Sequence, residues 1–182
     1  MSKPNIFLAA DHHFGHLGVC KFLREDGTKL RPWDNPEEMD EALIENHNKI
    51  VKPTDKVYFL GDVVINRRAF PTIGRLNGEK ILIKGNHDLF RLKEYTPYFK
   101  DIRASHPLDG NILTHIPIHP ASLSRWAKNI HGHLHSGTVK NGNGSNDKRY
   151  LCVSMEHINF TPIALEDLKW LIAKQHENYD IY

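Results

Sequence analysis

The chain has 182 residues, 40% hydrophobic and 25% charged, enough to bury a core without staples and of a length that suits one domain over residues 1–182. Its 24 lysines and arginines against 22 acids leave a net charge of +2, too weak a field to single out nucleic acid or an anionic membrane. No apolar run approaches the ~20 residues that span a bilayer, the N-terminus lacks a secretory pattern, and Cys20 and Cys152 make no disulfide framework, so a soluble cytoplasmic protein is expected.

In chain order, residues 5–10 (NIFLAA) form a continuous apolar run that suits a strand buried on both faces. Residues 24–35 are polar and read as loop. A helix then starts with Asn35 as N-cap, Pro36 in the first position and Glu38 in the third. Met39, Leu43, Asn46, His47 and Ile50 follow at helical spacing, which carries it to about Val51 before Pro53 ends it. Residues 57–60 (VYFL) read as a second strand, 67–76 as a short helix limited by Pro71, and 81–84 (ILIK) as a third strand. Strand alternating with helix predicts parallel pairing in an α/β core. The second half is different, with short strands at 102–104, 112–115, 129–131, 138–140 and 149–155 and a helix at 121–128. An exposed turn-rich connection covers 141–148, and an amphipathic helix at 165–173 follows. This pattern supports a mixed α/β fold and leaves the sheet order open.

Thirteen histidines are the unusual feature of the composition, and they gather where the predicted strands stop. The first strand ends in Asp11-His12-His13, the second in Gly61-Asp62 and the third in Gly85-Asn86-His87-Asp88. Later strands end in Thr114-His115 and in His131-Gly132-His133-Leu134-His135. The carboxyl edge of an α/β sheet is where ligands bind. Carboxylate and amide oxygens mixed with imidazoles suit Mn²⁺, Fe²⁺, Zn²⁺ or Ni²⁺, and the lack of cysteine disfavours structural zinc or iron–sulfur. Asp11 and His13, two apart, are expected on one side of an extended segment, and so are His133 and His135, with Gly132 giving the backbone room to turn. Asp11, His13, Asp62, Asn86, His115, His133 and His135 are too many ligands for one ion and suit two, with Asp62 as the natural bridge.

Asp-x-His, Gly-Asp, Gly-Asn-His-Asp, a lone histidine after a strand and Gly-His-x-His, in this order between Asp11 and His135, resemble the calcineurin-like metallophosphoesterase superfamily. The opening Asp11-His12-His13-Phe14-Gly15-His16, with Arg31-Pro32-Trp33 and residues 155–162, is similar to its small single-domain bacterial and phage-type members. The resemblance implies an α/β sandwich of two packed mixed β-sheets flanked by helices, with metals at the strand ends. It implies that Asp11, His13 and His135 hold a first ion, that Asp62 bridges, and that Asn86, His115 and His133 complete a second. Two divalent ions are expected, manganese foremost, with iron, zinc and nickel as alternatives. In the family's usual mechanism a hydroxide shared by the metals attacks phosphorus in line, bound water having dropped from a pKa of roughly 15.7 to about 7. His87 is expected to protonate the leaving oxygen or steady the transition state, and Asp88 to hold its imidazole in the right tautomer. Metal binding should weaken below about pH 6 as histidines protonate.

The remaining histidines have plainer readings. His12 supports its neighbours, His16 is a candidate for substrate phosphate, and His47 and His176 sit on helix surfaces. His106, His119, His131 and His157 pack or support. Arg125 and Trp126 in 118–128 either rim the site, with a cation for phosphate and a ring for a base, or belong to a surface helix that Trp126 anchors; Arg31 and Trp33 invite the same pair of readings. Both cysteines are ordinary small apolar residues.

The expected function is hydrolysis of nucleotide-type phosphodiesters at an open site, since the chain leaves little length for a cap. A phosphomonoesterase or a nucleotide pyrophosphatase is the nearest alternative. The partner is a small phosphoester; no membrane is implied, nucleic acid is disfavoured by the weak net charge, and the oligomeric state is open. A non-enzyme alternative uses the metal edge as a protein-interaction scaffold. Ligands or the histidine after asparagine are typically replaced in such scaffolds, whereas His87 and all the ligands stand here.

Overall fold

The computed structural model describes residues 4–176. Four of its strands run parallel: β1 (Ile6–Ala9), β2 (Lys56–Phe59), β3 (Glu79–Ile83) and β4 (Asp101–Arg103). They lie in the order β4-β3-β2-β1, with β9 (Ile163–Ala164) antiparallel at the far edge. The continuous burial of Phe7 to Ala9 and of Val57 to Phe59 explains why these strands are apolar throughout.

A second sheet holds β5 (His106–Leu108), β6 (Asn111–Leu113), β7 (Asn129–His131) and β8 (Tyr150–Cys152) in that order. Its last three strands are parallel, and β5 joins β6 antiparallel through Asp109-Gly110, both at positive φ, as a two-residue hairpin turn requires. The result is two mixed sheets flanked by helices. One buried cluster, including Leu8, Phe59, Leu82, Leu113, Ile130 and Leu151, spans both sheets.

The helix after β1 is α1 (Pro36–Ile50), where the Asn35 side chain accepts from the Glu38 amide at 2.9 Å and Met39, Leu43, Ile44 and His47 are buried. A 3₁₀ turn at Arg67–Ala69 leads into α2 (Phe70–Gly74); α3 (Leu92–Tyr95) and α4 (Leu168–His176) complete the set. No helix among the described residues is long and apolar enough to cross a membrane.

Two expectations fail locally. Residues 138–140 form no strand; Lys140 makes only an isolated bridge to Asn146, because the intervening turn closes on itself. The helix expected at 121–128 shrinks to a 3₁₀ turn at Pro120–Leu123, after which Trp126 packs on the cluster of Ile112, Leu123 and Tyr150.

What positions the site is the meeting of the two sheets at one edge. Ala10, just past β1, pairs in parallel with Ser154, just past β8, through Ala10 N to Val153 O at 3.0 Å and Met155 N to Ala10 O at 3.1 Å. The carboxyl ends of parallel strands from both sheets therefore open onto a common edge.

Candidate metal centre

Asp11, His13, Asp62, His133 and His135 all take positive φ, at 59°, 54°, 52°, 71° and 50°. Each such residue costs roughly 1–3 kcal/mol unless its surroundings impose it. Asp11 and His13 therefore do not share one face of an extended segment; their side chains converge because the chain turns left-handed as it leaves β1. The same correction applies to His133 and His135. The turns are laced to one another: Asp11 N donates to Gly61 O and His13 N to Asp62 O, both at 3.0 Å, while Gly132 N donates to His115 O at 3.0 Å. Gly132 serves close approach rather than turning, since a Cβ there would stand 2.6 Å from both Ala10 Cβ and Asp11 Oδ2.

The side chains assemble as two groups. Asp11, His13 and His135 each bring a ligand atom within 4.8 Å of the others, and Asp62, His115 and His133 do the same. The groups abut at Asp62, whose Oδ2 lies 3.3 Å from His115 Nε2 and 3.9 Å from His13 Nε2. Asn86 Oδ1 reaches His115 Nε2 at 2.8 Å. Backing contacts aim the ligands: His115 Nδ1–H donates to the Leu60 carbonyl at 2.7 Å, and His135 Nδ1–H to Glu156 Oε1 at 3.1 Å. Asp11 Oδ2 accepts from the His133 amide at 2.8 Å and from Ser154 Oγ at 2.7 Å. Left over are Asp11 Oδ1 and both ring nitrogens of His13, buried and without a hydrogen-bond partner. Unsatisfied buried polar atoms are costly, so the first group fits a divalent cation on that ground, and the second fits one by the closeness of its oxygen and imidazole ligand atoms.

Burial would push the Asp11 and Asp62 carboxyls up, but His13 beside the first and His115 beside the second outweigh it and hold both below the usual carboxylate range. Burial likewise pulls His115 and His135 down, yet the Asp62 and Glu156 carboxylates outweigh it and raise both. In His13 and His133 burial prevails and lowers the ring pKa.

His87 is exposed, its ring 5.8 Å from that of His13, and its amide donates to Asp62 Oδ1 at 2.8 Å. Asp88 does not hold the His87 imidazole. Its carboxylate is buried and accepts from three backbone amides, Asp62 and Val63 at 2.9 and 3.1 Å and Gly85 at 2.8 Å, so it splints the turns after β2 and β3. His16 lies beside the cluster with its ring 5.4 Å from His13. Arg125 is exposed and takes no part in the contacts that knit the cluster. Trp126 follows its anchoring reading, and Trp33 packs edge-on against Phe160 at 4.9 Å.

Arg31 is not a rim residue, because it is fully buried beneath the site. His47 is not a surface residue either: it is 1% exposed, with Nε2 2.9 Å from Asn77 O. His176 is part-buried against Tyr150 O at 2.9 Å. His12 packs between Phe14 and Phe59. Sequence reasoning missed Glu156 and Ser154 as members of the site; their one signal was that Glu156 falls within the 155–162 stretch of the resemblance.

No protein-family model matches the chain. Uncharacterized protein MJ1445 from Methanocaldococcus jannaschii is 35% identical over 183 residues, spanning 96% of this chain and 94% of that protein. The crystal structure of a protein of unknown function, AQ665 from Aquifex aeolicus, shares the fold with a TM-score of 0.64 at 22% identity, covering 93% of this chain and 100% of that one. The structure of a novel archaeal phosphodiesterase gives a TM-score of 0.47 at 20% identity over 82% of each chain.

Proposed function

The chain belongs to one family with MJ1445 of Methanocaldococcus jannaschii, and we propose that it is a dinuclear-metal phosphoesterase of the calcineurin-like type that hydrolyses nucleotide-type phosphodiesters. The observation that carries this reading is the pair of abutting ligand groups at the strand ends of two sheets, Asp11/His13/His135 and Asp62/His115/His133, the first of them with buried ligand atoms on Asp11 and His13 that have no hydrogen-bond partner. Asp11, His13 and His135 would hold one cation, His115, His133 and Asn86 a second, and Asp62 would touch both. A divalent pair, manganese foremost, would supply Lewis acidity there, lowering the pKa of water and neutralising charge on phosphoryl oxygens.

The chain's own residues do the rest. Asp62 keeps one oxygen on the His87 amide and turns the other toward the histidines, so bridge and acid are positioned together. His87 is exposed to solvent with its ring 5.8 Å from that of His13, and from there its imidazole would give a proton to the departing oxygen. Asn86 and His87 are both exposed, which supports an ester with a bulky group on either side of phosphorus.

The test is hydrolysis of bis-p-nitrophenyl phosphate against p-nitrophenyl phosphate by Mn²⁺-loaded protein. Faster turnover of the diester is expected. Faster turnover of the monoester would make the chain a phosphomonoesterase, and turnover of neither would overturn the enzyme reading in favour of a metal-edge scaffold.

A further inference from the structure

Arg31 is the largest fully buried side chain described, and it comes from the polar loop between β1 and α1. Its guanidinium meets three oxygen acceptors, with Nε donating to Glu156 Oε1 at 2.8 Å, Nη1 to the His12 carbonyl at 2.8 Å and Nη2 to the Asp11 carbonyl at 2.5 Å, and Nη1 also lies 3.3 Å from Met39 Sδ. Glu156, whose side chain is also fully buried, uses that same Oε1 to accept the His135 Nδ1–H. Three segments far apart in sequence thus converge behind the first ligand group and leave the second untouched.

Resting on the proposed metal pair, we infer that Arg31 and Glu156 form the positioning device of the first ion's ligands, setting the tautomer of His135 and clamping the Asp11-His12-His13 turn. Three features of the contact support this. A planar guanidinium can bond a carboxylate and two carbonyls at fixed angles, which an ammonium cannot. A buried ion pair of this kind adds little stability over apolar replacements, so its chemistry serves geometry rather than folding. Glu156 favours the Nδ1–H form of His135, leaving the unprotonated Nε2 as the metal-ligating atom of the Asp11/His13/His135 group, and a carboxylate behind an imidazole makes that nitrogen a stronger ligand. The second group has no such backing: His115 leans on the neutral carbonyl of Leu60. The two ion sites are therefore unequal by construction, and loss of the pair should strike only one of them.

Calorimetric titration of the metal-free protein with Mn²⁺ tests this. Glu156→Gln keeps the shape and an acceptor for Arg31, and Arg31→Lys keeps the charge while losing the fork. In each, one of two binding steps is expected to weaken about ten- to hundredfold while the other is unchanged. Independently of metal, ¹⁵N NMR should show His135 as the Nδ1–H tautomer in the wild type and as a mixture in Glu156→Leu. Two unchanged steps, two equally weakened steps, or an unaltered His135 tautomer would each overturn the inference. A wild type that takes up no Mn²⁺ would instead defeat the proposed function, and the tautomer measurement would still decide the role of Glu156.

Discussion

Gly85 has no side chain because Asp62 occupies the space one would need: a Cβ there would stand 2.2 Å from Asp62 Oδ1 and 2.5 Å from its amide nitrogen. Gly85→Ala must therefore displace the Asp62 carboxylate. It is expected to cost at least tenfold in activity and to weaken both Mn²⁺ binding steps, which titration and the aryl diester assay would show. His87→Ala keeps the backbone amide that bonds Asp62 Oδ1, so metal stoichiometry should be retained while kcat falls by roughly 10²–10⁴. That loss should grow as the leaving group becomes poorer. Full activity of the variant on an alkyl ester would remove His87 from acid catalysis.

Edges of sheets have to be closed, and α4 closes the edge at β8 in an unusual way. Gln175, 5% exposed, mimics a neighbouring strand: its Oε1 accepts from Cys152 N at 3.0 Å and its Nε2 donates to Cys152 O at 2.6 Å. His176 adds a bond to Tyr150 O. Gln175→Ala strands a buried amide and a buried carbonyl, and about 1–3 kcal/mol of stability should be lost for it. Urea unfolding would report this as a lower midpoint at constant slope; an unchanged midpoint would mean that water replaces the side chain at no cost. The apolar spacing of Leu168, Leu171 and Ile172 marks this helix in the sequence, but nothing marks Gln175, because a polar residue on a helix is expected at the surface.

Acid should loosen the fold before it reaches ordinary carboxylates. Burial pushes the His47 ring down to about 4, and its Nδ1 has no partner. Its folded pKa lies below that of the unfolded chain, near 6.5, so the unfolded state binds the proton more readily. The stability tied to neutral His47 is complete above pH 6.5 and is lost as pH falls toward 4, by at most about 3 kcal/mol. Unfolding free energies of the wild type should decline over that window, and those of His47→Gln less steeply. Equal slopes would exonerate His47 and leave the decline to the other buried rings, such as His131, which burial also lowers to about 4.

Residue order alone was enough to locate β1, α1, β2 and β3 and to mark the acids, amides and imidazoles at their ends, because burial pattern, cap residues and strand termini are local signals. The three-residue β5, the four-residue α3 and the two-residue β9 are too short to carry a period. Longer-range contacts settled what no local pattern holds. The left-handed turns at Asp11, His13, Asp62, His133 and His135 exist because neighbouring loops bond to one another. Asp88 accepts from backbone amides, which nearly every residue carries whatever its side chain, and so leaves no trace in composition. Arg31 and Glu156, 125 residues apart, look like solvated surface charges until folding places them against each other beneath the site, where desolvation obliges each to find its partner.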